Sequence, residues 1–170
     1  LSKNSHFEFS SQGLTYSAQT EHLVLLSQVD VQIETQDKTQ VLADSATYIQ
    51  KDETLNFTMM ENQPLERQYV KAHQKSLDLR SRSMIAQLFK QKIQVLTANK
   101  EVHFNDFTNP KHPVSGISGK AVYKEEKQLL FLMDFPQVYQ DNDTITGDMI
   151  IYDRTKDTIE VEQSNAFNKR

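Results

Sequence analysis

Apolar and polar residues alternate along most of the chain, and the alternation is organised around four tyrosines. Two apolar residues follow each of these tyrosines at offsets of seven and nine. The four sets are Tyr16 with Leu23 and Leu25, Tyr48 with Leu55 and Phe57, Tyr123 with Leu130 and Leu132, and Tyr152 with Ile159 and Val161. A polar segment separates each tyrosine from its apolar pair, as in residues 124–127. Apolar alternation on both sides of a polar turn predicts a β-hairpin with one apolar face.

The residues before three of these tyrosines also repeat. The pattern V-x-A-D-x-A-x-Y ends at Tyr48, I-x-G-D-x-I-x-Y ends at Tyr152, and a version one residue shorter ends at Tyr123. The small residue in each, Ala43, Gly119 or Gly147, suits a bulge or a close backbone contact. A weaker unit with alternating apolar positions fills the gap between residues 70 and 104.

A single hairpin cannot bury its apolar face, so the repeated units must stack against one another. We therefore predict one all-β domain over residues 1–170, an elongated, folded-over sheet of antiparallel hairpins. One segment departs from the period of two. Met84, Ile85, Leu88 and Phe89 have helical spacing, which predicts a short helix near 83–91, with an excursion or a continuing strand as alternatives.

Composition and charge exclude several classes of protein. The formal net charge is −4 and the basic residues are scattered, whereas a nucleic-acid-binding protein needs a concentrated basic face. The chain contains no cysteine, so it has no disulfide, no thiolate nucleophile and no cysteine-based metal site. No apolar run approaches the roughly 18 residues that span a bilayer. Because the chain opens at Leu1 rather than Met, we expect that a leader or an anchor preceded it.

Candidate catalytic or metal-binding residues form no recognisable pattern. The five histidines are dispersed, and neither a GxSxG elbow nor a glycine-rich phosphate loop occurs. The acidic run at Asp141, Asp143 and Asp148 lacks the spacing and the terminal Glu of a calcium loop. We therefore expect no catalytic residue, no metal and no cofactor, and a protein that is not an enzyme.

The apolar face is the remaining candidate for function. It can be the closed core of a β-sandwich, or the lining of an open trough that accepts acyl chains. Each methylene that moves from water into such a trough contributes about 0.8 kcal/mol. The predicted lipid-binding residues are Leu23, Leu25, Val31, Ile33, Leu55, Phe57, Ile93, Val95, Phe104, Leu130, Leu132, Ile159 and Val161.

Residues from 113 to 167 resemble the OstA-like family of periplasmic lipopolysaccharide-transport proteins, which includes LptA and LptC. The stretch I-T-G-D-M-I-I-Y at 145–152 is similar to the recurring I-x-G-D-x-I-x-Y strand of that family. The stretch V-L-T-A-N at 95–99 is similar to its V-L-T-G-N stretch, with Ala98 where glycine is usual. The resemblance covers about 130 residues, from Val29 onward.

The resemblance implies a β-jellyroll of stacked antiparallel strands that is open at both ends. It implies a periplasmic protein of outer-membrane biogenesis that binds lipopolysaccharide through lipid A along its interior. The implied partners are other Lpt-type jellyrolls, or further copies of the chain, joined end to end by edge-strand addition. The N-terminal stretch 13–18 looks more like LptC, which is anchored to the inner membrane by a segment that would precede Leu1. The C-terminal half looks more like LptA.

The chain departs from the family pattern at three places. The family's G-N-V after a hairpin is absent at residues 27–29 and 134–138, and the segment 80–91 is longer than usual. Two other functions stay open: a structural adaptor with a closed core that recruits partners through its edge strands, and a β-solenoid hydrolase or lyase acting on polysaccharide.

Overall fold

The computed structural model describes residues 7–33, 38–60, 64 and 68–162. In these residues it contains 15 β-strands that form one continuous antiparallel sheet. The strands are β1 Phe7–Ser10, β2 Gly13–Ser17, β3 His22–Ile33, β4 Thr39–Ile49, β5 Thr54–Thr58, β6 Val70–Gln74, β7 Leu77–Ser81, β8 Ser83–Phe89, β9 Lys92–Asp106, β10 Val114–Lys124, β11 Leu129–Met133, β12 Gln137–Gln140, β13 Asp143–Thr146, β14 Met149–Asp153 and β15 Thr158–Glu162.

The sheet folds over on itself because four long strands, β3, β4, β9 and β10, each pair with different neighbours along their two segments. One segment of each long strand pairs with β2, β5, β8 or β11, and β14 and β15 extend the same layer beyond β11. This layer contains the four tyrosines, and we call it the tyrosine half. The other segment joins β1, β6, β7, β12 and β13, which we call the opposite half. The result is an all-β jellyroll. The sequence pattern predicted the folded-over antiparallel sheet, and the family resemblance implied the jellyroll.

All four predicted hairpins are present in the same register. Tyr16 pairs with Leu23, Tyr48 with Leu55, Tyr123 with Leu130 and Tyr152 with Ile159. An offset of seven between partners fits strands that are joined by a short polar turn. This shared register stacks equivalent residues of successive hairpins in line across the tyrosine half.

The helix predicted near residues 83–91 is wrong, because the segment forms strand β8. Met84, Ala86 and Leu88 alternate inward, while Ile85 and Phe89 are exposed on the outer face. Two apolar side chains on the solvent face therefore produced the helical spacing. A register shift between Gln87 and Leu88 adds to the irregularity of the hairpin that follows.

The corner between the two halves is made by pairs of residues with left-handed backbone. Ser27 and Gln28 have φ of 60° and 52°, Lys100 and Glu101 of 64° and 50°, and Asp134 and Phe135 of 60° and 59°. The carbonyl of the first residue of each pair accepts a backbone hydrogen bond from a neighbouring segment. The donors are Gln12 between β1 and β2, Arg82 between β7 and β8, and Gly119 in β10. Two of the pairs lie where the family's glycine is missing. The corner geometry is thus formed without glycine at these positions.

Candidate functional site

Apolar side chains line the inside of the tyrosine half in two continuous rows. The first follows the cross-strand partners Leu14, Leu25, Ala46, Phe57, Met84, Ala98, Ala121, Leu132, Ile150 and Val161. The second follows Tyr16, Leu23, Tyr48, Leu55, Ala86, Leu96, Tyr123, Leu130, Tyr152 and Ile159. Both rows run from β2 to β15.

Most of the predicted lipid-binding residues meet in this interior. Nine belong to one buried cluster, namely Leu25, Val31, Ile33, Leu55, Phe57, Ile93, Phe104, Leu130 and Leu132. Leu23 and Ile159 are partly buried and pack against it. The opposite half contributes Val31, Ile33 and Phe104, and the ring centroid of Phe104 lies 6.4 Å from that of Tyr152 across the interior.

Val95 is the exception, because it lies on the outer face. The register shift at Gln87 and Leu88 inserts one residue into β9, so that Ile93 and Leu96 are buried while Val95 pairs with exposed Gln87 and Lys124. The prediction that Val95 points inward is therefore wrong. The prediction assumed that residues face inward and outward in strict alternation from Ile93. A bulge in β9 breaks this alternation before Val95.

The two ends of the rows differ from the middle. Leu14 and Tyr16 on β2 are 52% and 59% exposed, and Val161 on β15 is 38% exposed. Each belongs to an inner row by register but has no further described strand beyond it. The apolar interior therefore reaches solvent at both ends of the described sheet.

Side chains fill the middle of the jellyroll. Between the halves lies a cavity whose water-accessible volume is about 10 Å³, bordered by Ala72, Leu79, Ile93, Leu96 and Tyr123. That is about the smallest space that holds one water molecule. The described residues thus show apolar surface that is open at the ends and closed between them.

A buried polar network closes the side that lies opposite the corner, which we call the seam. Arg154, in the turn after β14, donates from Nε to Asp106 at the end of β9, and from Nη1 to the Tyr123 hydroxyl at 2.8 Å. The Tyr123 hydroxyl in turn donates to Gln74 Oε1 at 2.8 Å, and Gln74 Nε2 donates to Thr39 at 3.0 Å. The chain of hydrogen bonds joins the two halves through side chains alone.

Inside the seam, Arg154 forms a buried ion pair with Asp106. The Arg154 and Asp106 side chains are 4% and 0% exposed. Burial lowers the pKa of Arg154, but the hydrogen bond that Arg154 donates to Asp106 and the charges around it outweigh burial and hold that pKa above its ordinary value. Burial, with Asp106 and Asp157 nearby, raises the pKa of Tyr152, so its hydroxyl stays protonated and donates to Asp157 at 3.2 Å. A charged pair between two apolar layers was not foreseen from the sequence, since its members are 48 residues apart.

No group of three or more potential metal ligands occurs in the part of the chain that the structure describes. The same residues include no helix with the length and apolarity to cross a membrane.

Comparisons with known proteins agree with this architecture. The family model of the LptA/(LptD N-terminal domain) LPS transport proteins matches residues 11–158. Among solved structures, the chain is similar to LptH from Pseudomonas aeruginosa, described as the LptA homologous periplasmic component of the lipopolysaccharide transport device. That match has a TM-score of 0.64 and 19% sequence identity, and it covers 76% of this chain and 85% of LptH. No curated protein matches the chain in sequence. Because the family model spans most of both halves of the jellyroll, the chain belongs to the LptA/LptD N-terminal domain family of lipopolysaccharide-transport proteins.

Proposed function

We propose that the protein is a periplasmic, non-catalytic carrier that holds the acyl chains of lipopolysaccharide against the inner rows of its jellyroll. The observation that carries the proposal is the continuity of these rows from β2 to β15, with exposed apolar residues at both ends. Such a surface can accept an acyl chain at one end of the jellyroll and release it at the other end. Membership of the family and the similarity to LptH support lipopolysaccharide as the ligand.

Entry of acyl chains into the middle requires the two halves to separate. The cavity there is far smaller than one acyl chain, so the chains must replace side-chain contacts between the halves. Each methylene buried contributes about 0.8 kcal/mol, so several chains offset the loss of this packing. Separation about the corner would disrupt the seam network, since Arg154 and Asp106 belong to different halves.

We further propose that the protein is the bridge component, joined end to end with other jellyrolls. Strands β2 and β15 are terminal in the tyrosine half, and unpaired strand edges readily add another strand. Addition of β15 of one molecule to β2 of the next would continue both inner rows. The similarity to a periplasmic LptA homologue favours this role over an LptC-like component held at the inner membrane.

Tryptophan fluorescence can test acyl-chain binding directly, because the chain contains no Trp. In Phe57→Trp the reporter lies in the first inner row, and in Phe89→Trp it lies on the outer face. Lipopolysaccharide with brominated acyl chains quenches only a tryptophan that the chains touch. We expect saturable quenching of the Phe57→Trp protein and little quenching of the Phe89→Trp protein.

Equal quenching of both proteins would place the lipid on the surface and contradict an interior site. The filled middle of the jellyroll favours a second function, a structural adaptor that uses only its edges. In that case neither tryptophan would be quenched, while the protein would still associate end to end.

End-to-end association has its own test. The double variant Leu14→Lys/Tyr16→Lys adds charge at the exposed end of both rows without touching the buried cluster. We expect the wild-type protein to grow in mass with concentration in sedimentation experiments and the variant to remain small. The matched control Phe89→Lys adds a charge to the outer face and should associate as the wild type does. A wild-type protein that stays monomeric at all concentrations would contradict the bridge role.

A further inference from the structure

Basic side chains stand opposite one another on the outer face of the opposite half. Lys71 on β6 pairs with Arg80 on β7, and Arg80 pairs with His103 on β9. All three occupy one row, with Leu42 of β4 as the next partner. Like charges directly across a sheet destabilise it, so the fold gains nothing from this row.

The nearby carboxylates are engaged elsewhere. Asp78, on the next row, lies 2.6 Å from His73 Nδ1. Glu101 lies 2.7 Å from Arg82 Nη2 and accepts a hydrogen bond from the Tyr69 hydroxyl at 2.9 Å. Neither Lys71 nor Arg80 has a carboxylate partner among the described residues.

Two aspartates lie beside Leu42, and the hydrogen bonds that they accept come from neutral donors. Asp30 accepts a hydrogen bond from Gln40 at 2.8 Å, and Asp44 accepts one from the backbone N–H of Met60 at 3.0 Å. The Arg80 guanidinium instead lies 5.4 Å from the centre of the Tyr69 ring, which orients it without neutralising it. Lys71 and Arg80 therefore carry positive charges that no ion pair neutralises among the described residues.

A concave surface lies over these cations. A cavity of about 410 Å³ is bordered by Lys71, Arg80, His103, Asn105 and the carboxylate of Asp78. A second cavity of about 340 Å³ adjoins it at Leu42 and Lys71 and is also bordered by Asp30 and Asp44. These volumes fall within the range of small-ligand sites. A guanidinium binds phosphate through two parallel N–H donors, and an ammonium adds a point charge beside it.

We propose that Lys71, Arg80 and His103 form a binding site for a phosphate or pyrophosphate group on the outer face of the jellyroll. The site goes beyond the proposed carrier function, because the thickness of the sheet separates it from the inner rows. The same phosphoryl chemistry is offered by the headgroup of a phosphorylated glycolipid and by a free sugar phosphate.

The imidazole of His103 reports on the site in NMR. Its neighbours include Arg80 across the strand, Glu101 two residues before it and the Tyr69 ring, whose centroid is 5.9 Å away. Addition of inorganic pyrophosphate at low ionic strength should shift the His103 ring signals saturably and raise its pKa. The imidazole of His22, in the tyrosine half, should not respond. Absence of a saturable change at His103 at millimolar pyrophosphate would overturn the proposal.

A matched pair of variants tests whether Lys71 and Arg80 bind the pyrophosphate. Lys71→Gln/Arg80→Gln should weaken pyrophosphate binding about tenfold or more, with an unchanged circular dichroism spectrum. Lys120→Gln/Lys124→Gln removes the same charge from β10 and should bind as the wild type does. If pyrophosphate binding weakens equally in both variants, the effect comes from overall charge, and the proposal is overturned.

Two further arms identify the source of the phosphate. Glucosamine 1-phosphate that competes with pyrophosphate would indicate a free sugar phosphate. Competition only by lipid A in phosphatidylcholine vesicles would indicate a lipid headgroup, whereas equal competition by phosphatidylglycerol vesicles would indicate mere surface charge and overturn the proposal. The inner rows take no part in this site, so the two tests are independent. Pyrophosphate binding can be absent while Phe57→Trp is quenched by lipid, and it can be present while Phe57→Trp is not quenched.

Discussion

Arg154 donates a hydrogen bond to Asp106, and this buried ion pair joins the tyrosine half to the opposite half across the seam. The two residues lie at the ends of strands that do not pair with each other. The corner holds the halves together through the backbone, but the seam holds them through side chains. The pair is therefore one of the polar links that must break if the jellyroll opens for lipid.

Removing one partner of this pair should destabilise the fold strongly. Arg154→Met leaves the Asp106 carboxylate buried without its cation, and we expect the free energy of unfolding to fall by about 3–5 kcal/mol. Urea denaturation followed by circular dichroism measures the change. Lys156→Met removes a cation from the exposed pair with Asp153 in the same turn and should cost less than about 1 kcal/mol.

The double variant Arg154→Met/Asp106→Leu separates a buried charge from lost packing. If the isolated carboxylate causes the loss, the double variant should recover most of the stability. A single Arg154→Met variant as stable as the wild type would mean that the seam contributes little to closure.

The corner should be more stable with glycine. Phe135 has φ of 59° and is 91% exposed, so its side chain gains no burial in return for a left-handed backbone. A non-glycine residue loses about 1–2 kcal/mol in that conformation, and glycine gives back about 0.5–1 kcal/mol as chain entropy. We expect Phe135→Gly to raise the free energy of unfolding by roughly 0.5–1 kcal/mol. The control Phe131→Gly, in the middle of β11, should lower it, and a loss in both would contradict a strained corner.

The four hairpins could be predicted from the sequence because their cause is local. A tyrosine, a polar turn and an apolar pair mark each hairpin, and in the structure each tyrosine pairs with the first residue of its apolar pair. The corners were not predicted in position, since Asp134 and Phe135 carry no glycine to mark the left-handed backbone. Likewise Val95 was misplaced by a bulge that depends on the partner strand β8.

The seam and the cationic row lay beyond sequence reasoning for another reason. Arg154 meets Asp106, and Arg80 meets His103, only after the four long strands have folded the sheet over. Along the chain, at least one complete hairpin lies between the two residues of each pair. Patterns with a period of two show which face a residue occupies, but they do not show which distant residue shares that face.

Gly116 should not tolerate even a methyl group. A Cβ built there lies 2.5 Å from the Gln137 carbonyl oxygen and 2.5 Å from the Phe104 ring, both of which are held in the core. Gly116→Ala should therefore lower the free energy of unfolding by about 1–3 kcal/mol. At Gly13 the added Cβ meets Leu26 at an ordinary 3.5 Å, so Gly13→Ala is the matched control and should change little. Equal stability of the two variants in urea would contradict tight packing between β9, β10 and β12.

Protonation of His103 should make stability depend on pH. Burial, and then the charge of Arg80, hold the pKa of His103 below its ordinary value of 6.5, although Glu101 acts in the opposite direction. The unfolded chain therefore binds this proton more readily than the folded chain, and stability falls as the pH drops through 6.5 and below. We expect the melting temperature to decrease between pH 7 and pH 5, and His103→Gln to reduce that decrease. In Arg80→Gln the pKa of His103 should rise toward 6.5, measured from its ring signals in NMR. A pH dependence of melting that is unchanged by both substitutions would assign the effect to other groups.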